Sequence, residues 1–181
     1  VTTTPAPRYP AELACDIFTR EGIELHLRPI RPDDAGPLVE FHRSLSPRSV
    51  YRRFFFVHPT LSPTEVDRFT GVDYVHRLAL VVEHDDLLIA VGRYEGIPGS
   101  TDAEVAFVVT DQQQHHGIAT VLLEHLAQAA RQRGITTFVA STLAENREML
   151  DIFAHSGFAV TTSVEEGIVS VRFPIGSAAD V

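Results

Sequence analysis

Between Glu104 and Thr120 the chain reads EVAFVVTDQQQHHGIAT. An apolar run passes through a polar turn and ends at Gly117-Ile118-Ala119, where a long amphipathic segment begins. A strand that delivers backbone N–H groups and a helix N-terminus into one loop forms an anion site. Glu104 is a lone carboxylate near the start of the same strand. The stretch therefore predicts a pyrophosphate at one end and a proton acceptor at the other.

The segments around it read as one mixed α/β domain. Residues 16–30 predict a hairpin around Arg20-Glu21-Gly22, with Ile23, Leu25 and Leu27 on the buried face and Glu24, His26 and Arg28 on the polar one. Asp33 is the expected cap of a helix that carries Leu38, Phe41, His42 and Leu45. Ser46-Pro47 opens a second helix, and Ser62-Pro63-Thr64-Glu65 is a capping box for a third. Two runs, 77–83 and 87–94, flank His84-Asp85-Asp86 as a hairpin. After the strand at 103–110 and a helix from Ile118 to Arg133, the spacing predicts a strand at 136–141 and a helix at 146–155. A hairpin around Glu165-Glu166-Gly167 closes the series. The order is ββ-ααα-βββ-α-β-α-ββ, within a domain spanning 16–174. Residues 1–15 read as a disordered lead-in and 175–181 as a tail or linker, and the absence of an initial Met fits a module excised from a longer protein.

Of the 181 residues, 15 are basic and 24 acidic, a formal net charge of −9. That balance argues against a nucleic-acid binder and suits a partner that presents a lysine. No run is long and apolar enough for a bilayer, so no membrane partner is expected. The single cysteine, Cys15, leaves no disulfide and no cysteine-clustered metal site, which favours a reducing, cytoplasmic setting. His42, His58, His76 and His84 lack metal-ligand spacing, so no metal is expected.

In the turn, Gly117 permits close backbone approach to a ligand and Ala119 keeps the next position small. The free N–H groups of the first helical turn then face a diphosphate. Neither the lysine of a phosphate loop nor the three glycines of a dinucleotide fingerprint is present.

Gln114, Gly117 and Ala119 match the acyl-CoA loop pattern [Q/R]-x-x-G-x-[G/A]. Asn146, Met149, Ile152, Phe153, Gly157 and Phe158 match a second signature, N-x-x-[A/M]-x-x-[L/I]-[Y/F]-x-x-x-G-F. Together they make the chain resemble the GNAT superfamily of acetyl-CoA-dependent N-acetyltransferases over about residues 23–174. The resemblance implies a single domain with a mostly antiparallel central sheet, flanked by helices, and a splayed strand pair that binds acyl-CoA. It implies that the backbone of Phe107, Val108 and Val109 pairs with the pantetheine arm. The loop Gln114, His115, His116, Gly117, Ile118, Ala119 and Thr120 would cradle the pyrophosphate, and Asn146 and Phe153 would line the far side of the arm.

Leu27 to Phe55 and Ala103 to Val109 are similar to segments of bacterial protein lysine acetyltransferases of the Pat type. That resemblance gives Glu104, ten residues before Gln114, the role of general base. It implies a protein substrate with a reactive lysine, an AMP-forming acyl-CoA synthetase being the first to consider, and often a fused regulatory or synthetase-like domain. Glu104, partly buried beside the apolar arm, would accept the amine proton, and backbone N–H near Val108 would stabilise the oxyanion. Phe153 stands where many family members carry a tyrosine acid. Alternatives are a small-molecule amine N-acetyltransferase and a non-catalytic acyl-CoA-sensing module. The stretch Tyr51–Phe56 either shapes the acceptor groove or packs as core with its arginines reaching solvent.

Overall fold

The structure is a computed structural model that describes residues 5–176. Eight strands form one sheet: β1 (Cys15–Phe18), β2 (Glu24–Pro29), β3 (Arg77–His84), β4 (Leu87–Gly96), β5 (Asp102–Val109), β6 (Thr137–Leu143), β7 (Thr161–Glu165) and β8 (Ile168–Pro174). Their order is β1-β2-β3-β4-β5-β6-β8-β7, antiparallel throughout except for β5 and β6. Five helices flank it: α1 (Ala35–Ser44), α2 (Pro47–Phe54), α3 (Pro63–Thr70), α4 (Ile118–Gln132) and α5 (Arg147–Ala154). The predicted element order holds from end to end, with boundaries shifted by a residue or two.

Local chemistry accounts for the joints. Asp85 and Asp86 (φ 50 and 62) close β3–β4, and Glu166 and Gly167 (φ 49 and 81) close β7–β8. Two successive positive φ values give the turn whose twist matches paired strands. Ser46 caps α2 by accepting from Ser49 N–H, and Ser62 and Glu65 form the expected capping box of α3. At the start of α1 the cap position is held by Asp34, not Asp33, and its side chain makes no capping bond to α1; its carboxylate instead accepts from Arg31 N–H at 2.7 Å, closing the turn before the helix.

The sheet has two covered faces. Leu122, Leu123 and Leu126 of α4 are fully buried against one. Gly92 permits that approach, since a Cβ there would sit 2.9 Å from Phe107 and 3.1 Å from Leu126. The helices α1, α2 and α3 lie on the other face, where Leu38, Phe41, Val50 and Val66 are buried.

Four expectations need correction. Ile23 lies before β2 and is 46% exposed. Arg28 is buried rather than on a polar face, because Asp34 and Glu83 surround its guanidinium. The lead-in is packed from Tyr9 onward: its hydroxyl donates to the Pro29 carbonyl at 2.8 Å and its ring meets Tyr74 edge-on. Ile175 belongs to the core rather than a tail, fully buried and bonded through its N–H to the Thr136 carbonyl. Residues 1–4 and 177–181 lie outside the described residues.

Candidate active site

β5 and β6 pair only over Asp102–Glu104 and Thr137–Val139, then diverge. On the other side β5 stays paired to β4 along its length. Thr110 N–H donates to the Ile89 carbonyl and Ile97 N–H to the Asp102 carbonyl. Antiparallel ladders alternate, so the even positions of β5 point their backbone at β4 and the odd ones at the gap. Thr136 N–H donating to the Thr101 carbonyl gives the same phase from the β6 side. The amide N–H groups free to pair with an added strand are therefore those of Phe107 and Val109, since the Glu104–Val139 pair is closed by the Val105 N–H. Val108 turns its backbone to β4 and contributes its side chain only, which corrects the expectation that its backbone pairs with the pantetheine arm.

The divergence opens a cleft of about 430 Å³ that reaches from Glu104 to the loop before α4. Its floor is aromatic: Phe153 is 2% exposed, with Phe107 and Phe173 ring centroids 6.4 and 5.6 Å away. Asn146 also lines it, but its carboxamide caps α5 by accepting from Met149 N–H at 3.4 Å. Two buried polar atoms on the wall have no partner among the described residues, Arg52 Nε and Thr142 Oγ1. Orphaned polar atoms beside an apolar floor fit a long ligand with both amide and apolar parts.

At the far end the chain turns through His115 (φ 68) and Gly117 (φ 85) into α4. Gly117, Ile118, Ala119 and Thr120 line the cleft, so the helix N-terminus faces it. Gln114 is a clamp: its amide donates to the Val109 carbonyl at 3.1 Å and to Ser49 at 3.2 Å. Ser49 and Ser46 in turn donate to Asp111 at 3.1 Å. Burial alone would raise the Asp111 carboxyl, but these bonds outweigh it and hold it below the usual range. The loop is thus tied to the start of α2.

The two loop histidines part company. His115 lines the cleft with Nε2 3.7 Å from Glu148, which also draws Arg52 at 3.4 Å. His116 turns to Glu21 at 2.9 Å and is not among the lining residues. Its carbonyl accepts from Arg20 N–H, so the β1–β2 turn docks on the loop and lays the Arg20 side chain over Gly117. A Cβ at Gly117 would meet Arg20 at 3.4 Å. No local pattern marks Arg20, because its place depends on a loop almost one hundred residues downstream.

Glu104 lines the near end. It is exposed rather than partly buried, because its side chain falls on the sheet face that α2 only partly covers. Arg53, which faces it, is half-buried, and so is Arg93 on β4. Burial pushes Arg53 down, opposed by the Glu104 charge. Burial, and then the Arg53 charge, push Arg93 down to about 9. Both arginines stay cationic at neutral pH. Arg52 and Arg53 accordingly shape the groove instead of reaching solvent. No tyrosine lines the cleft among the described residues.

A family model described as an acetyltransferase (GNAT) domain matches residues 24–159. An acetyltransferase of Pseudomonas aeruginosa is 31% identical over 142 residues, covering 76% of this chain and 76% of that protein. Acetyltransferase Pat of Mycolicibacterium smegmatis is 34% identical over 164 residues, which is 88% of this chain and 48% of that longer protein. The crystal structure of the GNAT domain of S. lividans PAT has 39% identity and a TM-score of 0.87, over 92% of this chain and 99% of that one.

Proposed function

Because the chain belongs to the GNAT acetyltransferase family, we propose that it transfers the acetyl group of acetyl-CoA to a lysine side chain of a protein, with Glu104 as general base. The observation that carries this reading is the continuous cleft with a carboxylate at one end and a glycine-led helix N-terminus at the other. Acetyl-CoA would supply the activated thioester, and the amine nitrogen would bond to the acetyl carbon as the carbon–sulfur bond breaks.

The chain's own residues then divide the work. The free edge offers the N–H groups of Phe107 and Val109 and the carbonyls of Val105 and Phe107 to the pantetheine amides, as an added strand would use them. Phe107 and Phe153 pack under the arm. The amides from Gly117 to Thr120 and the guanidinium of Arg20 face the pyrophosphate. Glu104, exposed at the mouth, takes the proton from the incoming ammonium directly or through water. An amine with a pKa near ~10.4 must lose that proton before it can attack. Phe153 has no hydroxyl, so the chain offers no tyrosine proton to the leaving sulfur.

Two features favour a protein acceptor. Phe56 and Val57, which follow the cleft-lining Phe55, are 54% and 84% exposed, apolar surface of the kind a macromolecule covers. The similarity to Pat is the other. An AMP-forming acyl-CoA synthetase, switched off by acetylation, is the first acceptor to test, and a fused regulatory domain fits the 48% coverage of that relative. Glu104→Gln should keep acetyl-CoA affinity, measured by calorimetry, and lower CoA release by about 10²–10⁴-fold. Turnover within about tenfold of wild type would remove Glu104 from the role.

A further inference from the structure

Around Glu104 the acceptor face of this acidic chain is locally cationic. Arg53, Arg68, Arg77 and Arg93 gather there against two carboxylates, Glu95 and Glu104. Arg68 pairs with Glu95 at 2.6 Å, and Arg77 donates to the Arg68 carbonyl. Arg53 and Arg93 have no hydrogen-bond or ion-pair partner among the described residues. Each guanidinium instead rests on a ring, Arg53 on Phe54 at 4.9 Å and Arg93 on Phe69 at 4.3 Å. Between them lies a cavity of about 30 Å³ lined by both arginines. Arg53, Ala106 and Val108 line this cavity and the main cleft alike, so the two adjoin.

A lysine ammonium approaching this groove meets like charge, and like charges brought together in a half-buried site cost energy. The repulsion disappears when the acceptor brings its own anion. Two half-buried guanidinium groups with free donors are made for an oxygen pair. The cavity volume is about that of two waters by the usual measure of ~10–15 Å³ each, which matches a carboxylate and is small for a phosphate.

We propose that Arg53 and Arg93 form an anion subsite for the acceptor, so that the acetylated amine belongs to a molecule with a carboxylate close by. In a protein, that molecule is a segment whose target lysine has an aspartate or glutamate beside it. The proposal rests on the acetyltransferase reading for its chemistry, but the subsite itself is read by binding. It specifies which lysines among many this groove selects.

The test uses two peptides that differ only in the residue flanking a central lysine, aspartate in one and asparagine in the other. Affinity is measured by fluorescence anisotropy and transfer by CoA release. The wild-type chain should favour the aspartate peptide by about tenfold, the factor of one charge-assisted hydrogen bond. The preference should shrink as salt rises. Arg53→Gln and Arg93→Gln should each bring the ratio toward one, while Arg43→Gln, an exposed arginine paired with Glu40 on α1, should leave it intact. Free lysine compared with lysinamide asks whether a main-chain carboxylate serves as well; a preference there, with none among the peptides, assigns the subsite to small amino acids. Equal affinity for both members of each pair in the wild-type chain overturns the subsite, whatever the turnover. Tighter binding of the acidic peptide without CoA release would instead keep the subsite and break the acetyltransferase reading.

Discussion

Arg28 and the Arg53–Arg93 pair hold guanidinium groups inside one fold under opposite conditions. Arg28 is 5% exposed and donates to Asp34 through two nitrogens at 2.8 Å, to Glu83 at 2.6 and 3.1 Å, and to the Pro29 carbonyl at 3.1 Å. Its charge is matched by the chain itself, across β2, β3 and the turn before α1. Arg53 and Arg93 are half-buried with only aromatic rings beneath them. A cation enclosed by its own chain's anions fixes structure, since removing one partner strands the others. A cation left with free donors at the wall of a cleft is available to something that arrives. Position relative to the splay separates the two cases: Arg28 lies on the β2 side of the sheet, away from it, and Arg53 borders it.

The largest effect expected from this contrast is at Arg28. Arg28→Gln leaves Asp34 and Glu83 without their counter-charge and should lower unfolding free energy by about 3–5 kcal/mol, measured in urea. The acid limb gives a second reading. Burial alone would raise Asp34, but the Arg28 and Arg31 bonds outweigh it and hold the carboxyl below its ordinary range. A depressed folded-state pKa stabilises above the unfolded value, near ~3.9, and that stability is lost as pH falls through the folded value. Wild-type stability should therefore decline below about pH 4 more steeply than that of Arg28→Gln. Equal slopes would mean that Asp34 is not held by Arg28.

Arg20 tests an intermediate condition, an exposed cation laid over the phosphate-facing loop. The β1–β2 turn is anchored by the Arg20 N–H on the His116 carbonyl at 3.3 Å and by Glu21 on His116 at 2.9 Å. Neither bond uses the Arg20 side chain, so Arg20→Gln keeps the turn and should alter stability by no more than ~0.5 kcal/mol. The ratio of affinities for CoA and for pantetheine, which lacks the phosphates, should fall about tenfold, or ~1.4 kcal/mol. If both affinities fall together, Arg20 supports the loop instead of contacting phosphate.

How much of this was legible in the sequence follows the range of each interaction. The order of elements, the caps at Ser46 and Ser62, and the loop through Gly117 were readable because turns, caps and periodicity are set within a few residues. Glu104 was placed by its offset along one strand, and the structure puts it at the cleft mouth. Its exposure was not readable, since that depends on how far α2 reaches over the sheet. The free edge around Phe107 and Val109 depends on the ladder phase set by β4, which a single strand does not reveal. Alternation puts Arg28 on the polar face because it says which face a residue takes and not what waits there. Glu83, 55 residues on, is part of what waits. Arg20 and Arg93 escaped for the same reason, each reaching its place through a distant element.

Arg53 and Arg93 carry a small stability effect, and it is the one that decides the contrast. Replacing either by glutamine removes a cation–π contact, a loss of roughly 0.5–1 kcal/mol. It also removes a half-buried charge that burial opposes at both sites, and at Arg93 the neighbouring Arg53 charge opposes it as well. The terms have opposite signs, so each variant should unfold within about 1 kcal/mol of wild type, and Arg93→Gln should lie on the more stable side of Arg53→Gln because either change relieves the repulsion but only Arg53→Gln gives up the attraction to Glu104. The same chemical change costs several times more at Arg28. A loss of about 3 kcal/mol or more at Arg93 would make it a structural cation of the Arg28 kind and take away the reason for its free donors.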